Sequence, residues 1–197
     1  SVVGHSDLIW QEFKDSFTAF NGEKKATMEG KGTLNRQIAS IIFQKLQDQG
    51  VSSHWLKDEG DIEMITRKLE MIPLEVVVRN VLAGSTAKKF AIAEGTPLEA
   101  PLVEFYYKKD ELNDPFISDE QALMLKVVRE PRDLEILKTV ALQVNEVIQA
   151  LFMDAGIRLV DFKLEFGYDP TGVVVLGDEI SPDSCRLWDK ETGEKMD

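Results

Sequence analysis

The segment from Arg158 to Phe166 alternates apolar and charged side chains, and this pattern constrains the fold more than any other feature of the chain. Successive side chains of a strand point to opposite faces, so one face of this segment is apolar. The other face carries three ionisable groups: Asp161, Lys163 and Glu165. Turn-forming residues follow at 168–172, and Val173 to Leu176 is apolar, which predicts a β-hairpin. The same alternation is also typical of an ordinary edge strand with a solvated charged face.

A further carboxylate, Asp178, follows the second strand of this hairpin. If Gly167 pairs with Gly172, Asp178 lies on the same face as Glu165. Such a cluster around a lysine suits Mg²⁺ carrying a nucleotide, because Mg²⁺ takes one or two carboxylates and leaves its other positions to phosphate and water. The same register, however, puts Asp178 opposite Asp161, about four residues or roughly 13 Å along the strand from Glu165. The pattern therefore leaves open which pair of carboxylates binds a metal.

A second candidate site follows the apolar run Val76 to Val78. Arg79 comes next, and the sequence Ala83-Gly84-Ser85 leads into a predicted short helix from Ser85 to Glu94. The free N–H groups of a helix start, a serine hydroxyl and a nearby arginine suit a phosphate group. The alternative interpretation is that Ser85 is a plain helix cap and Arg79 a surface ion-pair partner.

The remaining elements predict an α+β fold, because strands come mostly in neighbouring groups with helices between the groups. The pattern indicates one strand before the glycine- and lysine-rich stretch and a β-rich stretch after the first helix, interrupted at a proline. The predicted elements are a strand Leu8 to Phe13, a loop Asn21 to Gly32, a helix from a cap at Thr33 to Gly50, one or two strands in Ile62 to Val81 with a break at Pro73, and a helix from Pro131 to Gly156.

The composition narrows the class of protein. A net charge of −12 would repel a phosphate backbone, so nucleic acid is not expected as a partner. No run is apolar enough to suggest a membrane span, and the single cysteine, Cys185, forms no internal disulfide, so a cytoplasmic protein is expected. His5 and His54 are interpreted as surface residues, which disfavours histidine base catalysis.

Four blocks of the sequence resemble one family. Two of them, Ile72 to Ser85 and Leu159 to Gly167, resemble the family's signatures, and Phe20 to Lys25 and Gly177 to Asp189 flank them in the family's order. On these residues the chain is identified as a member of the SAICAR synthetase family. The resemblance implies an ATP- and Mg²⁺-dependent ligase of purine biosynthesis, which joins L-aspartate to the carboxylate of carboxyaminoimidazole ribonucleotide and releases SAICAR, ADP and phosphate.

The resemblance also implies roles for single residues. Glu165 and Asp178 correspond to Mg²⁺ and nucleotide ligands. The residues predicted to bind the ribotide phosphate are Arg79, Ser85 and Arg186. The predicted catalytic residues are Lys163, which would neutralise developing charge, and Asp161, which would orient a metal-bound water or the aspartate amine. The segment Lys68 to Met71 resembles the strand between two lobes that holds the adenine.

The architecture implied by the family is two-lobed and likened to kinases and ATP-grasp enzymes, with an antiparallel N-terminal lobe (1–72), a mixed α+β C-terminal lobe (73–197) and the nucleotide between them. By this resemblance, the sequence is expected to start after the family's Gly-rich phosphate loop and to stop before its C-terminal helical region. A homodimer is expected. Two other functions remain open at this point: a small-molecule kinase with the same Mg·ATP site, and a non-catalytic nucleotide-binding module.

Overall fold

Antiparallel sheets form the framework of the chain, and two long helices pack against them. The computed structural model describes residues 6–19 and 24–196. The fold class is α+β, as the sequence predicts. In chain order the elements are β1 (Leu8–Glu12), β2 (Ser16–Ala19), β3 (Lys24–Thr27), α1 (Lys31–Asp48), β4 (Trp55–Glu59), β5 (Glu63–Arg67), β6 (Glu70–Val81), α2 (Gly84–Lys89), β7 (Pro97–Tyr107), β8 (Phe116–Ile117), α3 (Asp119–Met124), α4 (Pro131–Asp154), β9 (Ile157–Tyr168), β10 (Val174–Gly177) and β11 (Cys185–Asp189).

The largest sheet has six strands, and β9 lies in its interior. The strands follow the order β10-β9-β6-β7-β8, and every pairing is antiparallel. The second edge strand, β11, pairs with the first half of β9, while β10 pairs with its last residues. Because β9 is paired along both sides, its charged face belongs to the middle of a sheet and not to an edge strand.

Helix α4 covers the apolar face of this sheet. It starts at Pro131, where a missing N–H costs nothing, and Glu130 and Asp133 cap each other's backbone N–H groups. Its inward residues are buried against β9 and β6. They are Leu134, Leu137, Ala141, Val144, Ile148 and Phe152. Gly156, with φ of 76°, ends the helix as predicted.

The same helix corrects one expectation from composition. An 18-residue window within α4 has a mean hydropathy of 1.3, so its length and composition would allow a membrane span. The apolar stripe packs against the sheet, however, and the helix begins and ends in charged residues, including Asp133 and Asp154. This is the pattern of a core helix, in which one face is buried and the opposite face carries the polar residues.

Helix α1 begins at Lys31, two residues before the predicted cap at Thr33. The carboxylate of Asp15 accepts hydrogen bonds from the backbone N–H groups of Gly30 (3.3 Å) and Gly32 (2.8 Å). A residue distant in sequence therefore satisfies the helix start. The predicted loop from Asn21 to Gly32 is also partly wrong, because it contains β3 and the first residues of α1; residues 20–23 lie outside the described part of the chain.

Two predicted element boundaries differ from those in the structure. The stretch Ile62 to Val81 does form two strands, but they separate at Lys68 and Leu69. Pro73 lies inside β6, where the pairing with β9 shifts register between Met71 and Glu75. A proline is tolerated there because a bulge removes the need for its N–H. The helix predicted from Ser85 to Glu94 is shorter, Gly84–Lys89.

The three-stranded sheet, ordered β1-β5-β4, is joined to the larger one through residues 52–54. Ser53 forms a parallel bridge with Leu176 of β10. His54 donates its backbone N–H to Leu176 (2.8 Å), and its carbonyl accepts from Arg67 of β5 (2.7 Å). The two sheets are therefore connected by backbone hydrogen bonds as well as by one hydrophobic core, which extends from Phe13 to Leu187.

Candidate active site

The face of the large sheet opposite α4 carries a row of polar side chains. Pairing in β6–β9 sets Arg79 beside Asp161, Val77 beside Lys163 and Glu75 beside Glu165. Asp161 is 7% exposed and Glu165 is 3% exposed. The predicted alternation along β9 is confirmed, and the alternative of a solvated edge strand is wrong, because these carboxylates are buried and paired.

Arg79 lies at one end of this row, within a buried network. Its Nε donates to Glu104 (2.6 Å), one Nη to Asp161 (2.6 Å) and the other to the Tyr106 hydroxyl (3.1 Å). Burial disfavours its charge, but the two carboxylates outweigh that effect and raise the pKa of Arg79 further. Thr86 of α2 also donates to Glu104 (2.9 Å). Arg79 is therefore not the surface residue of the alternative interpretation.

Arg186 shares the carboxylate of Asp161 with Arg79. Its Nη1 lies 2.7 Å from Asp161 Oδ2. The guanidinium lies against Gly84, where an added Cβ would come within 2.9 Å of both terminal nitrogens. Ser85 follows Gly84 and is exposed in the first turn of α2, so it is not the helix cap; Ala83 holds that position. The three residues predicted to hold a phosphate are thus brought to one region.

Lys163 and Glu165 form the other end of the row. Lys163 Nζ donates to Glu165 (2.8 Å) and Glu75 (3.1 Å), and Lys108 Nζ donates to the second oxygen of Glu165 (2.5 Å). Burial opposes the charge of Lys163, but its two carboxylate partners raise its pKa. Burial likewise opposes the charge of Glu165, but the two lysines outweigh it and lower its pKa.

Asp178 lies next to Glu165, and this corrects the predicted register. Gly167 pairs with Val175 and not with Gly172, so Gly177 stands opposite Glu165 and Asp178 follows it directly. The difficulty of a long separation disappears. Burial and the negative charge of Glu165 raise the pKa of Asp178.

The pair fits a hard divalent cation. Among residues 6–19 and 24–196, no group of three or more His, Cys, Asp or Glu side chains could enclose a metal ion. Mg²⁺ needs only one or two protein carboxylates when phosphate and water fill its other positions. Glu165 and Asp178 supply two, and a cation between them would relieve their repulsion.

The segment from Lys68 to Met71 connects the two sheets beside this pair. A Cβ at Gly177 would lie 3.1 Å from Leu69 and 3.4 Å from Met71, so the connection packs against the residue before Asp178. Met71 is 43% exposed. Cavities of 570 and 640 Å³ flank the connection on the Arg129 and Tyr168 side, and neither is lined by Asp161, Lys163 or Glu165.

Sequence reasoning missed several partners of the predicted residues. They are Glu75, Thr86, Glu104, Tyr106 and Lys108. In β7 the signal was available, because Val103 and Phe105 alternate with Glu104 and Tyr106 as the residues of β9 do. Lys108 comes just after β7, and its contact with Glu165 depends on the pairing order of the sheet, which no local pattern contains.

The expectation for His54 is wrong. The side chain is 5% exposed, and burial lowers its pKa to about 4, so it is neutral. His5 lies outside the described residues. Cys185 is buried, and burial raises the pKa of its thiol to about 12, which makes it unreactive.

Comparison with known proteins identifies the family of the chain. The chain matches the SAICAR synthetase family model over residues 2–197. The phosphoribosylaminoimidazole-succinocarboxamide synthase of Halalkalibacterium halodurans is 53% identical over 190 residues, covering 96% of this chain and 80% of that protein. The Bacillus subtilis protein of the same name is 52% identical over 191 residues, covering 97% and 79%.

A solved structure extends the agreement to the fold. SAICAR synthetase (Type-2) in complex with ADP has 47% sequence identity and a TM-score of 0.94, with 98% of this chain and 82% of that one covered. Both long signature segments, which contain Arg79 and Glu165, lie in neighbouring strands of the shared sheet. The chain therefore belongs to the SAICAR synthetase family.

Proposed function

We propose that the polar face of the six-stranded sheet is where the chain joins L-aspartate to the carboxylate of carboxyaminoimidazole ribonucleotide. Membership of the SAICAR synthetase family makes the chain an ATP-dependent ligase of de novo purine biosynthesis. The observation that carries the assignment of the site is the position of Asp178 beside Glu165, at the end of a row of buried ion pairs.

The reaction has two stages. A carboxylate is a poor acyl donor, so one of its oxygens attacks the γ-phosphorus of ATP, and ADP leaves. The amine of aspartate then attacks the acyl carbon of the resulting acyl phosphate, loses a proton, and inorganic phosphate departs. Three anionic substrates must be held together, which accounts for clustered Arg and Lys in a chain of net charge −12.

Glu165 and Asp178 would hold Mg²⁺, which when bound neutralises charge on the phosphate oxygens of the nucleotide. Lys163 has a raised pKa and remains cationic at neutral pH. Its ammonium, held between Glu75 and Glu165, is positioned to neutralise charge that develops near the reacting carboxylate. Lys108 would assist by keeping Glu165 ionised.

The ribotide phosphate would bind at Arg186, Ser85 and Arg79. Of the two arginines, Arg186 is the more accessible to the phosphate, because its side chain is 29% exposed and that of Arg79 is 6% exposed. Asp161 accepts from both guanidinium groups, so its role in this proposal is first to orient them. Its second proposed role, taken from the family resemblance, is to orient the aspartate amine or a metal-bound water.

The nucleotide would bind between two lobes, 1–72 and 73–197, in the manner likened to kinases. Lys68 and Met71 lie in the connection between the sheets, where a Cβ added at Gly177, the residue before Asp178, would come within 3.4 Å of Met71. An adenine held there by backbone groups would direct its phosphates toward Glu165. We place the reaction in the cytoplasm and propose a homodimer, with small-molecule substrates as the partners and neither nucleic acid nor membrane.

The test is an assay of the protein with ATP, Mg²⁺, the carboxyaminoimidazole ribotide and L-aspartate, following the succinocarboxamide product and ADP together. Product should require every component and disappear in Glu165→Ala and in Asp178→Ala. ADP formed equally well without aspartate would favour the small-molecule kinase instead. Nucleotide binding without turnover would favour a binding module.

A further inference from the structure

The carboxylate of Glu104 extends the polar face of the large sheet to β7. Glu104 stands opposite Val77 in the β6–β7 pairing and is 7% exposed. Arg79 Nε donates to it at 2.6 Å, and the Tyr106 hydroxyl donates to it at 3.2 Å. The hydroxyl of Thr86 lies 3.0 and 2.9 Å from its two oxygens. A single buried carboxylate thus joins β6, β7 and α2.

Helix α2 needs tertiary contacts to stay in place. It is six residues long, and an isolated helix of that length is unstable in water. Its cap residue is Ala83, whose side chain cannot accept a hydrogen bond from the first turn. The N–H of Gly84 donates to the carboxylate of Glu94, but this contact is long (3.4 Å) and exposed. The bond from Thr86 to Glu104 is buried by contrast, since Thr86 is 2% exposed.

The first turn of α2 presents three consecutive residues to three different surroundings. Gly84 lies against the guanidinium of Arg186, with a φ of 58° that glycine adopts without strain. Ser85 is exposed, and Thr86 is buried against Glu104. Because one helical turn moves as a unit, loss of the contact at Thr86 would displace Ser85 relative to Arg186.

We propose that Thr86 is a positioning residue, whose hydroxyl holds α2 on Glu104 and so keeps Ser85 in place for the ribotide phosphate. The inference rests on the proposed function, in which Ser85 binds that phosphate together with Arg79 and Arg186. It adds that one carboxylate orients both α2 and an arginine of the site, because Glu104 accepts from Thr86 and from Arg79. Neither Thr86 nor Glu104 contacts the phosphate in this proposal.

The experiment compares Thr86→Val, which keeps the shape of the side chain but removes the donor, with Thr86→Ser, which keeps the hydroxyl. Binding of SAICAR and of ADP is measured by calorimetry, and the KM values of the ribotide and of ATP by steady-state kinetics. We expect Thr86→Val to weaken SAICAR binding and to raise the KM of the ribotide by roughly tenfold, the usual effect of losing a hydrogen bond to a charged group. ADP affinity and the KM of ATP should stay unchanged, and Thr86→Ser should recover most of the loss.

The riboside of SAICAR, which lacks the phosphate, tests where the effect arises. Its binding is measured as competitive inhibition against the ribotide, and it should be the same in the natural chain and in Thr86→Val. Equal weakening of the phosphorylated and unphosphorylated compounds would overturn the inference, because Thr86 would then not act through the phosphate site.

Two controls separate the possible failures. Thr96→Val removes a hydroxyl that donates to the Ala93 carbonyl (2.7 Å) in the loop after α2, so it should leave SAICAR binding as it was. Equal weakening in Thr96→Val and Thr86→Val would mean that any disturbance near α2 lowers the affinity, and it would overturn the inference. Arg186→Ala should weaken SAICAR binding. If it does so while Thr86→Val has no effect, Thr86 is not a positioning residue.

If Arg186→Ala has no effect on SAICAR binding, the proposed phosphate site itself is wrong and the inference falls with it. Thr86→Val is expected to fold, because Glu104 keeps Arg79 as its partner. Should it fail to fold, Thr86→Ala takes its place, and an equal loss of SAICAR and ADP affinity in that variant would overturn the inference.

Discussion

At the scale of single residues, the two arginines that share Asp161 are not equivalent. Arg79 is held by Glu104 and Asp161 inside the protein, whereas Arg186 is more exposed and lies against Gly84. Removing one partner of a buried ion pair leaves an uncompensated charge, which typically costs about 3–5 kcal/mol. Substitution of Arg79 is therefore expected to lower the stability of the fold as its main effect, with ligand binding affected second.

The prediction contrasts Arg79→Ala with Arg186→Ala. Arg79→Ala should lower the free energy of unfolding by about 3–5 kcal/mol, measured by urea denaturation, because buried Glu104 loses its arginine partner and buried Asp161 keeps only Arg186. Arg186→Ala should change stability little and weaken ribotide binding by about 1.5–3 kcal/mol, the usual contribution of a charged hydrogen bond. ADP binding is the control and should be unaffected in Arg186→Ala. Equal loss of ribotide and ADP affinity would contradict the phosphate assignment.

Cys185 gives a prediction about pH, because it is the single cysteine of the chain. Burial raises its pKa from the ordinary value of 9.0 to about 12. The unfolded chain therefore loses this proton first. The stability that the buried, protonated thiol contributes is complete below pH 9 and is lost as pH rises from 9 to 12. The loss of free energy of unfolding is about 1.4 kcal/mol at pH 10.

The measurement is the free energy of unfolding of the natural chain and of Cys185→Ala between pH 8 and pH 10.5. Lysines and tyrosines titrate in both proteins, so the difference between the two curves isolates the thiol. We expect the curve of the natural chain to fall more steeply above pH 9. Parallel curves would mean that the thiol ionises normally in the folded state, and rapid alkylation of the native protein at pH 8 would mean the same.

At the scale of elements, local patterns predicted what depends on neighbours in sequence. The alternation in β9 and the proline-led start of α4 need only the geometry of a strand and a helix. Both are confirmed. The prediction that Asp161, Lys163 and Glu165 lie on one face of β9 is also confirmed.

Elements were mispredicted where a distant residue decides. The start of α1 depends on Asp15, which lies well outside the helix. The interior position of β9 depends on pairing with β6, which is remote in sequence. These are tertiary constraints, and propensity and periodicity do not contain them.

At the scale of the whole molecule, the chain is acidic, yet the polar face of the large sheet carries several cations. The chain has 35 acidic and 23 basic residues. On the polar face of the large sheet, however, cations and anions alternate, with Arg79, Lys163 and Arg186 each held by a carboxylate. An anionic substrate therefore meets a local arrangement of oriented cations, whose charge is fixed in place before the substrate arrives.

The last prediction concerns cooperativity between the two sheets. One hydrophobic core contains Phe43 and Met64 from the expected N-terminal lobe (1–72) and Leu164 from the expected C-terminal lobe (73–197). No separate core of comparable size lies among the described residues of either lobe. Loss of packing on one side then removes the partner of the other. We expect urea to unfold the chain in a single transition.

Tryptophan fluorescence can test this, because Trp55 lies in β4 of the three-stranded sheet, beside Phe43, and Trp188 lies in β11 of the large sheet. One variant keeps Trp55 alone and another keeps Trp188 alone, the other tryptophans being replaced by phenylalanine. After correction for the stability of each variant by circular dichroism, the two fluorescence midpoints should coincide with the loss of secondary structure. Separate midpoints would show that the two sheets unfold independently. Coincident midpoints would mean that the backbone connection at residues 52–54 holds as long as the fold does.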